Sequence, residues 1–256
     1  MRIVRGILAL STVAIATAAW AGKRGNGDVV TEVRQARGFT QVDLRLPLDA
    51  EVTEGRDFAV KVTVDENLQP AIVSEIRGDT LVVRCDGSVD LADDSRIEIS
   101  LPELKGVAAT GSGDVTVTGS RKRDLSLASS GSGDLTYHGP AASLRVGAAG
   151  SGDVEVELSG EANDVEVGVR GSGDVTLRGG RARELVAAVA GSGSVNADAL
   201  TAHSGRLATA GSGDIEATLN GGNASFAVAG SGSITWHGTA SVTNQASAGS
   251  GEITHE

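Results

Sequence analysis

Aspartate follows the same tripeptide, Gly-Ser-Gly, in four successive copies along the chain. These residues, here called the aspartate ladder, are Asp114, Asp134, Asp153 and Asp174. If each copy starts a turn of a stacked fold, the carboxylates lie in a row about 4.8 Å apart. Several neighbouring oxygens suit Ca²⁺, whereas a turn aspartate accepts hydrogen bonds from backbone amides. Known calcium-binding solenoids use a different, nonapeptide repeat. We therefore predict that each aspartate caps its own Gly-Ser-Gly turn, with a calcium ladder as the alternative.

The other residues that could do chemistry are scattered. The four histidines are His138, His203, His237 and His255. His138 and His237 occupy matching positions five turns apart, about 24 Å at the spacing of paired strands, so they cannot share a metal ion. Cys85 alternates with Val83 and Leu81 on one strand face, which predicts a buried thiol. The sequence predicts no catalytic residue, no cofactor site and no metal centre.

Two basic loops could form a binding edge. Arg121, Lys122 and Arg123 fall between two predicted strands, and Arg181 and Arg183 occupy the matching loop three turns later. Such an edge could bind acidic glycans or a protein partner, although scattered basic residues are usually solvated surface. Both interpretations stay open at this point.

A repeat of about 20 residues must position all of these groups. Gly-Ser-Gly begins at residues 111, 131, 150, 171, 191, 211, 230 and 249. Apolar and polar residues alternate on both sides of each copy, which is typical of strands with one buried face. The last turn breaks the alternation between Val242 and Ala246, which predicts either a shifted parity or a bulge. Glycine allows close backbone approach at the corners, and stacked serines could exchange hydroxyl hydrogen bonds. The pattern predicts an all-β fold, a parallel β-helix (β-solenoid).

The ends of the chain predict its destination and its domain organisation. Arg2 and Arg5, the apolar stretch 6–19 and Ala19-Trp20-Ala21 are typical of a signal peptide, residues 1–21, that is cleaved after Ala21. Residues 22–256 are predicted to form a single β-solenoid domain. Within it, 106–256 hold the regular repeats, and 22–105 form less regular rungs or a capping sheet. Strands are predicted there at 42–46, 58–64, 80–85 and 96–101.

Composition narrows the partners. The net charge of −11 becomes more negative without Arg2 and Arg5, which argues against nucleic acid and against anionic membrane surfaces. No apolar segment after the leader is long enough to form a membrane-spanning helix. The remaining candidates are an envelope protein or a glycan, at the periplasm or the cell surface, and the oligomeric state is open.

Several short motifs resemble one family. They are Arg37-Gly38-Phe39, Val64-Asp65-Glu66-Asn67-Leu68, Leu101-Pro102-Glu103-Leu104 and the Gly-Ser-Gly-Asp run. Together they resemble the bacterial head GIN domain family, described as a "putative auto-transporter adhesin". The resemblance implies an exported, right-handed β-helix and supplies no catalytic residues.

Two functional classes follow from the sequence. The favoured one is a non-enzymatic envelope scaffold or adhesion module, because the charged residues follow the repeat. The alternative is a β-helix polysaccharide lyase or hydrolase, which would need acids and bases converging on one cleft.

Overall fold

The structure is a computed structural model that describes residues 22–92 and 94–256. The predicted signal peptide and its cleavage site therefore lie outside the described residues. In chain order, the first nine strands are β1 (Lys23–Arg24), β2 (Val29–Val33), β3 (Gln41–Arg45), β4 (Asp49–Glu54), β5 (Ala59–Asp65), β6 (Ile72–Arg77), β7 (Thr80–Cys85), β8 (Val89–Asp90) and β9 (Arg96–Leu101). A 3₁₀ helix, Glu66–Ala71, joins β5 to β6.

The regular repeats supply the remaining strands. They are β10 (Gly106–Ala109), β11 (Val115–Thr118), β12 (Asp124–Ser129), β13 (Leu135–Gly139), β14 (Ser143–Ala148), β15 (Val154–Leu158), β16 (Glu161–Val169), β17 (Val175–Arg178), β18 (Arg181–Val189), β19 (Val195–Gly211), β20 (Ile215–Leu219), β21 (Asn223–Gly230), β22 (Ile234–Gly238), β23 (Ser241–Gly249) and β24 (Ile253–His255).

Successive turns of these repeats stack in parallel and in register. Leu125 lies beside Leu144, and Leu135 lies beside Val154. Equivalent residues of successive repeats thus lie side by side. This confirms the predicted β-solenoid with rungs of about 20 residues. The predicted irregularity in the last turn is confirmed as well, because the register of β21 and β23 shifts at Ala224 and Ser225.

The N-terminal part stacks out of chain order. Strands β3 and β4 pair in parallel with β10 and β11 on one side, and with β7 and β9 on the other. Antiparallel strands close this end, since β6 pairs with β7 and β5 pairs with both β9 and β2. The rung formed by β3 and β4 therefore lies between two later rungs, with β7 and β9 on its outer side and β10 and β11 on its other side. The division at residue 105 stays a prediction.

A narrow core runs along the solenoid up to its last turn. It consists mainly of Val, Leu, Ile and Ala side chains that point inward from alternate strand positions and are nearly all fully buried. Burial of one such aliphatic side chain is worth about 1.5–3 kcal/mol. A few aromatic rings fill wider places, among them Phe39, Tyr137 and Phe226. The alternate positions of the same strands point outward to solvent.

Candidate binding surface

The Gly-Ser-Gly corners bring successive turns into backbone contact. The carbonyl oxygen of Gly111 accepts hydrogen bonds from the amides of Ser132 and Gly133, at 2.9 and 3.4 Å. A Cβ atom at Gly131 would overlap that same oxygen, so a side chain cannot be placed there without moving the turn. The serine between the glycines is exposed. In the described residues we find no hydroxyl bond between stacked corner serines, so the expected exchange along the axis is not observed.

The aspartate ladder links neighbouring turns. Each carboxylate accepts a hydrogen bond from the backbone amide of the equivalent residue in the next turn, through Oδ1, at 2.7–2.9 Å. The successive pairs run from Asp114 to Asp134, from Asp134 to Asp153, from Asp153 to Asp174 and from Asp174 to Ser194. We expected each aspartate to cap its own turn; instead it caps the following one, because the close stacking brings that amide within reach.

The ladder is longer at its start than the sequence indicates. Asp49 Oδ1 accepts a hydrogen bond from the amide of Asp114 at 2.9 Å, although the corner before it is Leu46-Pro47-Leu48. The sequence offers no Gly-Ser-Gly signal for Asp49. Its place in the ladder follows from the pairing of β4 with β11, which sets Ala50 beside Val115 and so brings Asp49 next to Asp114. No group of three or more His, Cys, Asp or Glu side chains that could hold a metal ion occurs in residues 22–92 and 94–256. The calcium alternative for the ladder stays a prediction.

The histidines pair locally and do not converge. His138 Nδ1 lies 2.8 Å from Glu157 Oε2, and His237 Nε2 lies 3.2 Å from Glu216 Oε1. The ring of His255 stacks on Trp236 with centroids 3.8 Å apart. His203 Nδ1 lies 3.2 Å from the carbonyl oxygen of Asn220. Each of the four imidazoles thus has a partner in an adjacent turn, as expected for surface residues of a stacked fold.

The single thiol is less buried than predicted. Cys85 is half-buried at the end of β7, while Val83 and Leu81 on the same strand are fully buried. The strand ends at Cys85, so one side of this residue faces solvent. Its partial burial raises the pKa of the Cys85 thiol, which favours the protonated, less nucleophilic form.

Of the five basic residues in the two loops, only Arg123 and Arg183 form ion pairs in the described chain. Arg121 donates to the carbonyl of Pro102 at 3.3 Å, and Arg183 pairs with Asp164 at 3.1 Å. Arg123 forms ion pairs with Glu103 at 3.2 Å and with Glu54 at 3.3 Å. The basic binding edge stays a prediction, and Arg123 also lies in the wall of a groove.

This groove is an open channel of about 790 Å³ on the outer face of β12, β14 and β16. We call it the charged groove, and its charged and hydroxyl-bearing residues are Glu103, Lys105, Arg123, Asp124, Ser126, Ser143, Arg145, Asp164 and Glu166. Arg145 pairs with Glu166 across two neighbouring turns at 2.9 Å. Most of these residues were missed by the sequence analysis. The sequence could have indicated them, because they occupy the outward-facing alternate positions of the first strand in each turn.

A buried cluster supports the wall of the charged groove. Glu54 is 5 % exposed, and its Oε2 accepts hydrogen bonds from the backbone amide and the hydroxyl of Ser120 at 2.9 and 3.1 Å. Its other oxygen faces Arg123. Tyr137 packs behind them and donates to the carbonyl of Pro140 at 2.8 Å. Burial, with a smaller contribution from the negative charge of Glu54, raises the pKa of Tyr137 far above its usual range.

A second surface is flat and apolar. Alanines at the outward positions of β18, β19, β21 and β23 line a shallow depression of about 470 Å³. We call it the alanine face; its exposed alanines are Ala188, Ala190, Ala208, Ala210, Ala227, Ala229, Ala246 and Ala248. It reaches the last turn of the described chain. Because its side chains are small, this surface has few protrusions or pockets that could contact a ligand.

The motif residues 64–69 hold the N-terminal segment. Asp65 is 1 % exposed, and its Oδ1 accepts a hydrogen bond from the amide of Gly27 at 2.7 Å. Asn67 donates to the carbonyl of Arg24 at 2.8 Å, and Gln69 donates to the carbonyl of Val30 at 2.9 Å. This motif therefore has a structural role in closing the end of the solenoid.

Comparison with protein families gives one match. A family model described as "Putative auto-transporter adhesin, head GIN domain" matches residues 38–205. No curated protein matches the sequence. The described helical structure is limited to the short segment Glu66–Ala71, and none of it could span a membrane.

Solved structures from Parabacteroides and Bacteroides species share the fold. A "putative adhesin" from Parabacteroides merdae is 22 % identical, with a TM-score of 0.81 over 91 % of this chain and 98 % of the other. A "putative lipid binding protein" from Parabacteroides distasonis is 23 % identical, with a TM-score of 0.79 over 92 % and 100 %. A "putative adhesin" from Bacteroides fragilis is 20 % identical, with a TM-score of 0.68 over 92 % and 100 %.

Proposed function

Since the chain belongs to the family described as "Putative auto-transporter adhesin, head GIN domain", we propose that it is an exported, non-enzymatic interaction module. It uses the outer faces of its β-solenoid to bind an envelope protein or a glycan. The charged groove is the observation that carries this proposal, because it combines concave shape, both signs of charge and a rigid floor.

Rigidity supports a binding role for the groove. Its floor consists of strands that pair with a neighbour on each side, as β14 does with β12 and β16. The side chains of the groove therefore keep their spacing before a partner arrives, which reduces the entropy lost on binding. A preformed site of this kind is suited to adhesion, where the same contact must form repeatedly.

The lining favours a partner with charges of both signs. Lys105, Arg123 and Arg145 alternate with four carboxylates, and no aromatic ring lines the groove. Sugar recognition by stacking on rings is therefore disfavoured. A protein surface or a charged glycan supplies the complementary groups, since charge complementarity governs which partner is accepted.

Export is part of the same proposal. The predicted leader 1–21 would direct the chain across the membrane, and the mature chain would begin at Gly22. N-terminal sequencing of protein recovered from the envelope fraction tests this, since retention of Met1 would contradict it. Digestion of intact cells with protease separates the periplasm from the cell surface.

The binding experiment uses purified, labelled protein and isolated envelopes. We expect saturable binding that Arg145→Glu weakens at least about threefold, because an exposed ion pair is worth on the order of 0.2–1 kcal/mol and reversal adds repulsion. Arg178→Glu is the matched control, because Arg178 is an exposed arginine paired with Glu155 of the preceding turn, outside the groove. Equal binding by both variants and the unmodified protein would assign recognition to another surface.

Vesicles of neutral and anionic lipid provide the second arm. The name of the Parabacteroides distasonis relative refers to lipid, whereas the acidic charge of this chain disfavours anionic bilayers. We expect no vesicle binding. Vesicle binding that survives Arg145→Glu would overturn the proposed partner class.

A further inference from the structure

The last turn of the solenoid presents an uncovered edge. Strands β23 and β24 pair with β21 and β22 on one side, and no strand of the described chain pairs with their other side. About half of the amide and carbonyl groups of such an edge strand point away from its only neighbour. At the opposite end, β5, β6 and the 3₁₀ helix cover the corresponding edges.

Strand β23 lacks the usual protection against edge pairing. Natural edge strands are blocked by charged side chains, proline, shortness or strong bulges. The sequence of β23 is Ser-Val-Thr-Asn-Gln-Ala-Ser-Ala-Gly, with nine exposed residues and no charge or proline. Its bulge lies near one end, at Val242 to Asn244. The remaining segment, 244–248, is regular and open to another strand.

The inward side of β23 is also polar where the preceding turns are apolar. Gln245 stands above Phe226, and Ser247 stands above Val228. Amide and hydroxyl groups tolerate water, and they can also hydrogen-bond to the same groups in another strand. A strand of this composition can therefore meet a copy of itself without placing like charges together.

We propose that two copies of this chain associate by antiparallel pairing of β23 with β23 of the second copy, about a two-fold axis at Ala246. This register places Gln245 opposite Ser247 and Asn244 opposite Ala248. Inward residues then meet inward residues, and outward residues meet outward residues, as one continuous sheet requires. A two-fold contact closes on itself. The opposite end differs from this one, because antiparallel strands β5 and β6 pair with its last parallel strands.

The pairing has a consequence for the alanine face. Ala246 continues the column formed by Ala188, Ala208 and Ala227. Two copies joined at Ala246 would merge their alanine faces into one surface of doubled length. This inference does not depend on the charged groove, which lies on earlier turns.

Sedimentation velocity over a concentration series tests the proposal. We expect the unmodified protein to sediment as a dimer at high concentration. We expect Ala246→Lys to remain a monomer, because two like charges would meet at the axis. Ala188→Lys is the matched control, an exposed alanine in the same column, and it should dimerise normally. A monomer at every concentration, or a dimer indifferent to Ala246→Lys, would overturn the proposal.

A cross-linking variant tests the register itself. Ala246→Cys, with Cys85→Ser to remove the natural thiol, should form a disulfide-linked dimer on mild oxidation, because paired residues lie within disulfide reach. Ala188→Cys in the same background should not. Equal cross-linking of both variants would show random collision and would refute the pairing. Circular dichroism confirms that each variant keeps its β-sheet content.

Discussion

Tyr137 is the only tyrosine of the chain, and its hydroxyl is sealed inside the cluster behind the charged groove. Burial, aided by Glu54, raises its pKa in the folded protein, whereas an unfolded chain ionises near pH 10. Below about pH 10 both states carry the neutral phenol and stability is unaffected. Above it only the unfolded state ionises, so we expect the free energy of unfolding to fall by up to about 1.4 kcal/mol per pH unit.

Phenolate absorbance measures this directly. The folded protein should show no phenolate signal at a pH where the urea-unfolded chain is fully ionised. Tyr137→Phe should abolish the tyrosine contribution to the pH dependence and cost about 1 kcal/mol for the lost bond to Pro140. A folded chain that titrates near pH 10 would show that Tyr137 is open to water.

The ladder predicts a modest effect at each aspartate. Asp134→Ala removes the acceptor for the amide of Asp153, and we expect a loss of about 1 kcal/mol in urea unfolding. Asp134→Asn keeps a side-chain oxygen and should lose less. Asp124→Ala, which removes an exposed aspartate outside the ladder, is the control. If repulsion between neighbouring carboxylates dominated instead, Asp134→Ala would be more stable than the unmodified protein.

Calcium distinguishes the remaining alternative for the ladder. We expect millimolar calcium to leave the melting temperature of both the unmodified protein and Asp134→Ala unchanged. A rise that is specific to the unmodified protein would be linked binding to the folded state. It would restore the calcium ladder as the role of these carboxylates.

At the scale of elements, glycine is sterically required at the Gly-Ser-Gly corner but not within the neighbouring strand. A Cβ at Gly150 would overlap the carbonyl of Gly131, whereas a Cβ at Gly147, three residues earlier in β14, meets nothing within 4 Å. We expect Gly150→Ala to cost at least about 2 kcal/mol, through displaced backbone. Gly147→Ala should gain about 0.4–1 kcal/mol, because alanine restricts the unfolded chain.

Thermal and urea unfolding of this pair measure the closeness of the turns. The two substitutions add the same methyl group within one rung, so differences in hydrophobicity cancel. Similar stabilities of Gly150→Ala and Gly147→Ala would mean that the corners are looser than described.

At the scale of the whole molecule, the proposed role is recognition and not turnover. Charged residues of the groove pair across turns, as Arg145 does with Glu166. We expect purified protein to leave acidic polysaccharides intact in reducing-end and unsaturated-product assays. Depolymerisation that a single substitution in the groove abolishes would instead support the lyase or hydrolase alternative.

The sequence by itself determined the repeat and what depends on it. Period, alternation and the Gly-Ser-Gly corners specify strands, rung length and parallel stacking, because each is a local property copied eight times. The sequence also predicted the irregularity of the last turn, because the apolar and polar alternation breaks after Val242. The aspartate ladder was found as a row for the same reason, although the amide it caps was assigned to the wrong turn.

Only the tertiary structure decided the contacts between turns. Asp49 joins the ladder, Glu54 meets Arg123, and Arg145 meets Glu166 across separations of 65, 69 and 21 residues, and the first two come from a rung that lacks the Gly-Ser-Gly signal. In the N-terminal part, β7 and β9 stack on the outer side of β3 and β4, so the order of the rungs in space differs from their order in the sequence. Side chains far apart in sequence meet because backbone pairing sets which turn lies beside which, and no local pattern carries that information.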